Sequence, residues 1–458
     1  MTKTISLSTQ AITTLKTPQL LKGGLYLTWG ASLLMLIATL SGVQGQRHSL
    51  KTVGKDAAPS IIDAQHIKDN LADMGASAVN ELLVQAGQNP KAVANYEARR
   101  QEITQLLVKA AENITYGDGE RIPIETMQSS LQDYIALIQQ ARDFHQRGNQ
   151  AGAVASYLAA AEIMDKRIQP AADALDKANL EILDRTYTQQ QSATARALLL
   201  VVISDLLLIG VLVGMQIFLN RRMRRILNPM LLGATAIASI FLGYTIWTFL
   251  SASHHLKVAK EDAFTSIHAL QKTRAFAYSA NRDESRYLLD PAHADRHQQA
   301  FFDKVAKMAT LPKGQTFETV AAASAQGNRV DGFTGFLADE LNNVTFAGER
   351  EAAVDTLSKW AVYMGIDQQL RQLQRIGKLQ EAIALCVGNN PGQSNWAFAQ
   401  FDEALKQTLE INQQAFDKAV DQGFKDMEGF EVVTPVVAVA IALLTLFGLL
   451  PRMKEYSA

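Results

Sequence analysis

Four apolar stretches, Gly24 to Val43, Arg196 to Leu219, Pro229 to Leu250 and Val432 to Leu450, constrain this chain more than any other feature. Each approaches the roughly 20 residues that an α-helix needs to cross the hydrocarbon core of a bilayer. The expectation is an integral membrane protein with two polar segments of domain size, Gln44 to Ala195 and Ser251 to Glu431, between its spans. Orientation follows from the connector Asn220 to Asn228, where Arg221, Arg222, Arg224 and Arg225 crowd into a loop too short to be anything but a basic turn. Basic residues in short loops stay cytoplasmic, which places both large segments outside and both chain ends inside. Lys3, Lys16 and Lys22 before the first span, and Arg452 and Lys454 after the last, agree with that topology. The cytoplasmic parts are then Met1 to Gly23, the arginine turn and the tail Pro451 to Ala458, too little chain for an enzyme domain. The expected location is the cytoplasmic (inner) membrane.

Composition narrows the function classes. A formal net charge of -1 over 458 residues offers no excess for nucleic acid, and the basic residues that cluster are accounted for by topology, with membrane lipid as their neighbour. Cys386 is the sole cysteine, which excludes an intrachain disulfide and a cysteine-rich zinc site. The first apolar stretch exceeds the usual 7–15-residue core of a signal peptide, so it is read as an uncleaved anchor. No Ser/His/Asp order, phosphate-binding glycine loop or paired catalytic carboxylates stands out, so neither enzyme activity nor a cofactor is expected.

Both outer segments carry apolar residues at helical spacing. In the first, Ile62, Ile67, Leu71, Met74, Ala78 and Leu82 form one stripe, stopped by Gly87 and Asn89-Pro90. A second stripe, Val93, Tyr96, Ile103, Leu107 and Ala110, ends at the turn residues Gly117 and Gly119. Met127, Leu131, Tyr134, Ile138 and Ala141 make a third beyond Pro123, closed by Gly148. The fourth runs from Gly152 through Tyr157, Ile163, Ile168, Leu175 and Leu183, with a kink expected at Pro170. Four helices with short turns make a bundle that returns the chain to the membrane. The fold class is therefore all-α, with four transmembrane helices and two extracytoplasmic helical bundles.

The two halves resemble each other. Tyr134 precedes Gly148 by the same interval as Tyr363 precedes Gly377, and Ala153 follows the first glycine as Ala382 follows the second. Glu81-Leu82-Leu83 and Tyr287-Leu288-Leu289 lie at comparable distances from their preceding spans. A tandem duplication of span, bundle and span accounts for this, the second copy carrying a looser insertion at Thr310 to Gly348. Duplicated units packed side by side would make a pseudo-dimer within one chain.

The block Tyr134 to Arg142, the spacer to Gly148, Gly152-Ala153 and Tyr157 to Met164, together with Ala280 to Leu289 of the second half, resembles the GlnX family of tetraspanning bacterial proteins. The bundles also resemble chemoreceptor sensor domains. The GlnX resemblance implies partners: a periplasmic amino-acid-binding lipoprotein outside and a cytosolic Ser/Thr kinase pathway inside. It carries over no ligand-contact residue.

Among individual residues, Asp205 is a carboxylate within a span, which is costly unless paired or hydrated. It is expected to face the other spans near Thr28, Ser32 or Thr235. Gly210 and Gly214, and Ser239 and Gly243, are spaced for close helix approach within the chain. His293 and His297 stand four residues apart beside Asp290 and Asp295, but a third firm metal ligand is missing. Arg142, Arg282 and Glu284 are the charged residues on bundle helices to examine first for a ligand or partner, against the ordinary expectation of a solvated surface charge. Three functions compete at this stage: a sensor or signal relay coupling an amino-acid-binding protein to a kinase pathway, an envelope scaffold, and a direct small-ligand receptor.

Overall fold

The computed structural model describes residues 17–115, 117–223 and 227–455. Among them the secondary structure is helical, apart from one isolated antiparallel bridge between Thr310 and Thr334. Four helices are long and apolar enough to cross a membrane, α1 (Thr17–Lys51), α6 (Gln169–Met223), α7 (Pro229–Lys257) and α15 (Phe430–Lys454). Between α1 and α6 lie α2 (Ala58–Leu82), α3 (Pro90–Glu112), α4 (Asp118–Gln146) and α5 (Gln150–Ile163). Between α7 and α15 lie α8 (Thr265–Leu289), α9 (Ala294–Met308), α10 (Phe317–Ala325), α11 (Phe336–Asn342), α12 (Glu349–Arg375), α13 (Leu379–Val387) and α14 (Ser394–Asp426).

The described residues divide into two compact units, one built from those within 17–51, 185–256 and 419–455, the other from those within 52–184 and 257–418. The two segments between the spans thus share one body, called the outer body after the expected topology, and helix that the sequence placed in them, 44–51 and 185–195, belongs with the spans.

In the spanning unit, α1 packs along α15. Trp29 donates its indole N–H to the Ala442 carbonyl at 3.2 Å, and Arg47 meets Glu431 at 2.6 Å. Asn228 accepts from the Met230 and Leu231 amides at the start of α7 and donates to the Gly448 carbonyl at 2.7 Å. The close approaches are not at the glycines the spacing singled out. A Cβ at Gly210, Gly214 or Gly243 would meet nothing within 4 Å, whereas one at Gly42 would lie 2.6 Å from the Phe249 ring and one at Gly24 would collide with Met215. Small residues permit close packing but do not require it, and here the partner helices lie against other turns.

In the outer body, α2 and α8 pack side by side. Gln271 meets His66 at 3.2 Å, Arg274 meets Asp69 at 3.1 Å and Ser285 meets Asn80 at 2.7 Å, each pair separated by 205 residues. A constant separation means that the two helices run parallel and in register. Around α2 the first half buries Ile103, Met127, Tyr134, Ile138, Tyr157 and Ile168. Around α8 the second half buries a more aromatic core with Phe301, Trp360, Tyr363, Phe398 and Phe401. Gly148 (φ 74°) and Gly377 (φ 81°) end α4 and α12 in the left-handed conformation, with the Asn149 and Lys378 amides returning to Phe144 and Leu373 at 2.9 Å each. That is the glycine-terminated helix stop that the spacing implied.

Two local expectations gain detail. Within residues 310–348 only the short helices α10 and α11 are regular, the rest being turns and irregular chain, and α10 opens with a capping box between Thr316 and Thr319. The irregularity expected near Pro170 lies just before it. Pro170 sits in the first turn of α6, just after a π-helical segment, Met164–Ile168, that absorbs the irregularity. Similar π-helical segments, Thr52–Ala57 and Val258–Phe264, precede α2 and α8.

Candidate functional site

The outer body's most unusual stretch is on α8, where Asn281, Arg282, Asp283, Glu284, Ser285 and Arg286 are consecutive and all buried. A helix normally turns such residues to water on one face. Here α8 is enclosed all round, by α2, by the α5–α6 corner of the first half and by α9, α13 and α14 of its own half, so each polar group needs an internal partner.

Arg282 and Arg286 both reach into the first half. Their guanidiniums donate to the two oxygens of Asp165 at 3.0 Å each, and Arg286 also donates to the Tyr157 hydroxyl at 2.9 Å and to Asp283 at 3.3 Å. Burial opposes ionisation of Asp165, yet the two guanidiniums hold its carboxyl down at about 2. Lys304 of α9 donates to Asp283. Arg282 crosses α2 at Gly75, where a Cβ would lie 2.8 Å from the Arg282 Cδ. Glycine at that position is what lets the arginine pass.

Glu284 lies deeper in the second half. One oxygen accepts from the Ser394 hydroxyl at 2.6 Å and contacts the buried Cys386 thiol at 3.8 Å, while the other has no hydrogen-bond partner among the described residues. Burial, with Asp367 nearby, pushes its carboxyl up to about 8. Burial likewise raises the Cys386 thiol well above its ordinary range, so it is not a reactive thiolate.

Two cavities flank this polar seam. The first, about 310 Å³, lies among α2, the start of α3, α8 and the start of α14, and carries asparagines at 80, 89, 95, 281, 389 and 395 with Asp73, Arg99, Tyr278, Asp402 and Lys406. The second, about 400 Å³, lies among α5, α8 and α9 and is lined by Asp165, Asp283, Arg286, Asp290, His293, His297 and Lys304.

The charges singled out from sequence are not solvated surface groups. Arg142 is 9 % exposed, Arg282 1 % and Glu284 0 %. Arg142 joins Glu81 of α2 at 2.8 Å and Glu97 of α3 at 3.0 Å and stacks over the Tyr96 ring at 4.3 Å, so it braces the first half and lines neither cavity. Asp205 is buried with no hydrogen-bond partner for either oxygen among the described residues, while the Thr28 and Thr235 hydroxyls donate to their own helices at Gly24 and Leu231. Arg221 and Arg222 are exposed, and Arg224 and Arg225 lie outside the described residues. His293 and His297 both turn to Asp290, at 3.0 and 3.1 Å, and among the described residues no cluster fit to hold a metal is present. Sequence reading missed Asp165, Arg274 and Asp402, which share the seam. Their only signal was a charge on a helix otherwise apolar at that phase.

Residues 49–188, which cover the first half of the outer body, match the family model described as an actinobacterial sensor domain. No curated protein and no solved structure matches the chain. With four helices fit to cross a membrane, the match marks the chain as a membrane protein of sensor type, with a role in sensing or signalling.

Proposed function

We propose that this protein is a non-catalytic transmembrane relay: a signal received by the outer body alters the packing of the four spans and is read by a cytosolic partner. The observation that carries the reading is continuity. Helix runs through Thr17–Leu82, Gln150–Arg222 and Pro229–Leu289, so three of the four spans are extensions of helices that build the sensor-type body. A small axial or rotational shift of a packed helix is a known way for such an element to act at a distance. The parallel, in-register pairing of α2 with α8 supports a tandem duplication acting as a pseudo-dimer. A repeated turn supports it further. Asn113 donates to Ser60 and the Thr115 amide to Glu120, as Asn343 donates to Ser266 and the Thr345 amide to Glu349.

Following the GlnX resemblance, the outer input is a periplasmic amino-acid-binding lipoprotein and the inner output a Ser/Thr kinase pathway, with both termini in the cytoplasm. The test is crosslinking between cysteines placed in α1 and α6, in membranes with and without the amino-acid-loaded binding protein. A change in crosslinking pattern, with co-purification of the binding protein, is the expected result. Identical patterns in both conditions would favour a scaffold.

A further inference from the structure

Among the described residues, every charged group lining the second cavity but one forms an ion pair. Asp165 holds Arg282 and Arg286, Asp283 holds Lys304, Asp290 holds both histidines, and Glu162 holds Lys166 at 2.6 Å, which leaves Arg296 without an ion pair of its own although its charge also acts on Glu162. A ligand entering there would have to break ion pairs.

The first cavity is built differently. Its deep charges are closed off, since Asp73 takes Arg99 at 2.6 Å, and Asp402 takes Arg274 at 2.7 Å and Lys406 at 2.8 Å. Between those pairs, polar atoms remain uncommitted. Among the described residues the Tyr278 hydroxyl makes no hydrogen bond, and Asn80 and Asn281 each use one side-chain amide atom and leave the other without a partner, although all three residues are buried. None of these atoms is sealed off as the buried orphans elsewhere are, so they face the cavity. Two further lining groups carry uncompensated charge. Both are exposed and neither forms an ion pair among the described residues, where Lys91 donates to the neutral Asn389 side chain at 2.7 Å.

One cation, one anion and a wall of uncommitted amides complement a particular kind of molecule. We infer that the cavity between α2 and α14 binds a small zwitterion bearing further hydrogen-bonding groups, its carboxylate toward Lys91 and its cationic end toward Glu403. A net anion or cation would leave one of the two unmatched, and an apolar ligand would strand the amides. A volume of about 310 Å³ is at the small end of ligand sites, which run from about 300 to 1,000 Å³. The cavity touches both halves, so occupancy would bear directly on how α2 and α8 are held. This binding is direct and needs no accessory protein, so it stands or falls separately from the relay proposed above.

The test uses the full-length protein in lipid nanodiscs and thermal unfolding with L-glutamine, L-serine and glycine betaine as zwitterions, and succinate, putrescine and myo-inositol as dianion, dication and neutral polyol. The expected result is a saturable upward shift with at least one zwitterion and none with the other three. Lys91→Met and Glu403→Gln should each weaken that binding about three- to tenfold, as loss of a partly exposed charge contact does, while Arg296→Ala in the other cavity leaves it unchanged. The inference is overturned by no saturable shift with any zwitterion, by tighter binding of succinate, putrescine or inositol, or by zwitterion binding that both cavity variants retain in full.

Discussion

The two cavities beside α8 are made from the same helix and similar residue types, yet they differ in how their polar groups are used. Beside α5 and α9, every lining acid and every lining base except Arg296 is ion-paired among the described residues, and Asp165 ties two arginines of the second half to the first. Beside α3 and α14, the charges are matched only at depth, and amides, a phenol and two unpaired charges face the opening. A buried network that satisfies itself fixes a geometry, whereas a set of uncommitted donors and acceptors is complete only with a guest. The difference assigns one side of the seam to holding the halves together and the other to responding.

The largest expected effect tests the holding side. Asp165→Asn removes the acceptor charge for both Arg282 and Arg286 and leaves two guanidiniums buried without full compensation. Breaking one partner of a fully buried ionic network destabilises by about 3–5 kcal/mol; because the Asp165 side chain is itself 42 % exposed and Arg286 keeps Asp283 and Tyr157, about 2–4 kcal/mol is expected here, to be read from denaturant unfolding of the purified protein. A loss below about 1 kcal/mol would mean that this cavity is a surface cluster and that the contrast with its neighbour is false.

Next comes the pH response of the buried carboxylate on α8. The folded-state value for Glu284 stands above its ordinary range, at about 8, so the native state holds a proton that the unfolded chain releases earlier. Its contribution is complete below the usual carboxylate range, near pH 4.5, and is lost as pH rises toward 8, with a slope of at most about 1.4 kcal/mol per pH unit. Glu284→Gln, which still accepts from Ser394, should flatten that slope in unfolding midpoints measured from pH 5 to 9. An unchanged slope would remove Glu284 as its source.

The apolar skeleton of the body was legible in the chain, and the seam was not. Gly148 and Gly377 announced helix ends, and Tyr134, Ile138 and Ala141 announced a core face, because burial of apolar residues at period 3.6 leaves a visible pattern. Residues 281–286 carry no such pattern. A helix enclosed on all sides by polar partners has the composition of an exposed one, and the partner of Arg282 and Arg286, Asp165, lies more than 100 residues away, as Asp402 does from Arg274 on the same helix. Arg142, Arg282 and Glu284 were recognisable as charges on bundle helices, but their burial depends on pairing that only the packed structure supplies.

A smaller effect sharpens the point at Gly75. Glycine to alanine within a helix ordinarily stabilises by about 0.5–1 kcal/mol, and Gly365→Ala on α12, where the new methyl meets nothing within 4 Å, should do so. Gly75→Ala should have the opposite sign. Its methyl would lie 2.8 Å from the Arg282 Cδ, and that side chain is held at its far end by Asp165. Overpacking of this kind costs about 1–3 kcal/mol. Stabilisation by both alanines would show that Arg282 moves freely and that the seam is looser than its ion pairs imply.

The smallest effect belongs to the responsive side. Glu403 lines the first cavity, is exposed and makes no ion pair among the described residues, so Glu403→Gln should change the stability of the ligand-free protein by less than about 0.5 kcal/mol. A group that contributes nothing to the empty fold and yet alters ligand-linked stabilisation is engaged by the guest rather than by the scaffold, because linkage stabilisation appears only when something binds the native state. Comparing Glu403→Gln with Asp165→Asn in the same unfolding assay therefore separates the two sides of α8 even before the ligand is identified. Equal losses in the two variants would make both cavities structural and leave the body without a receptive face.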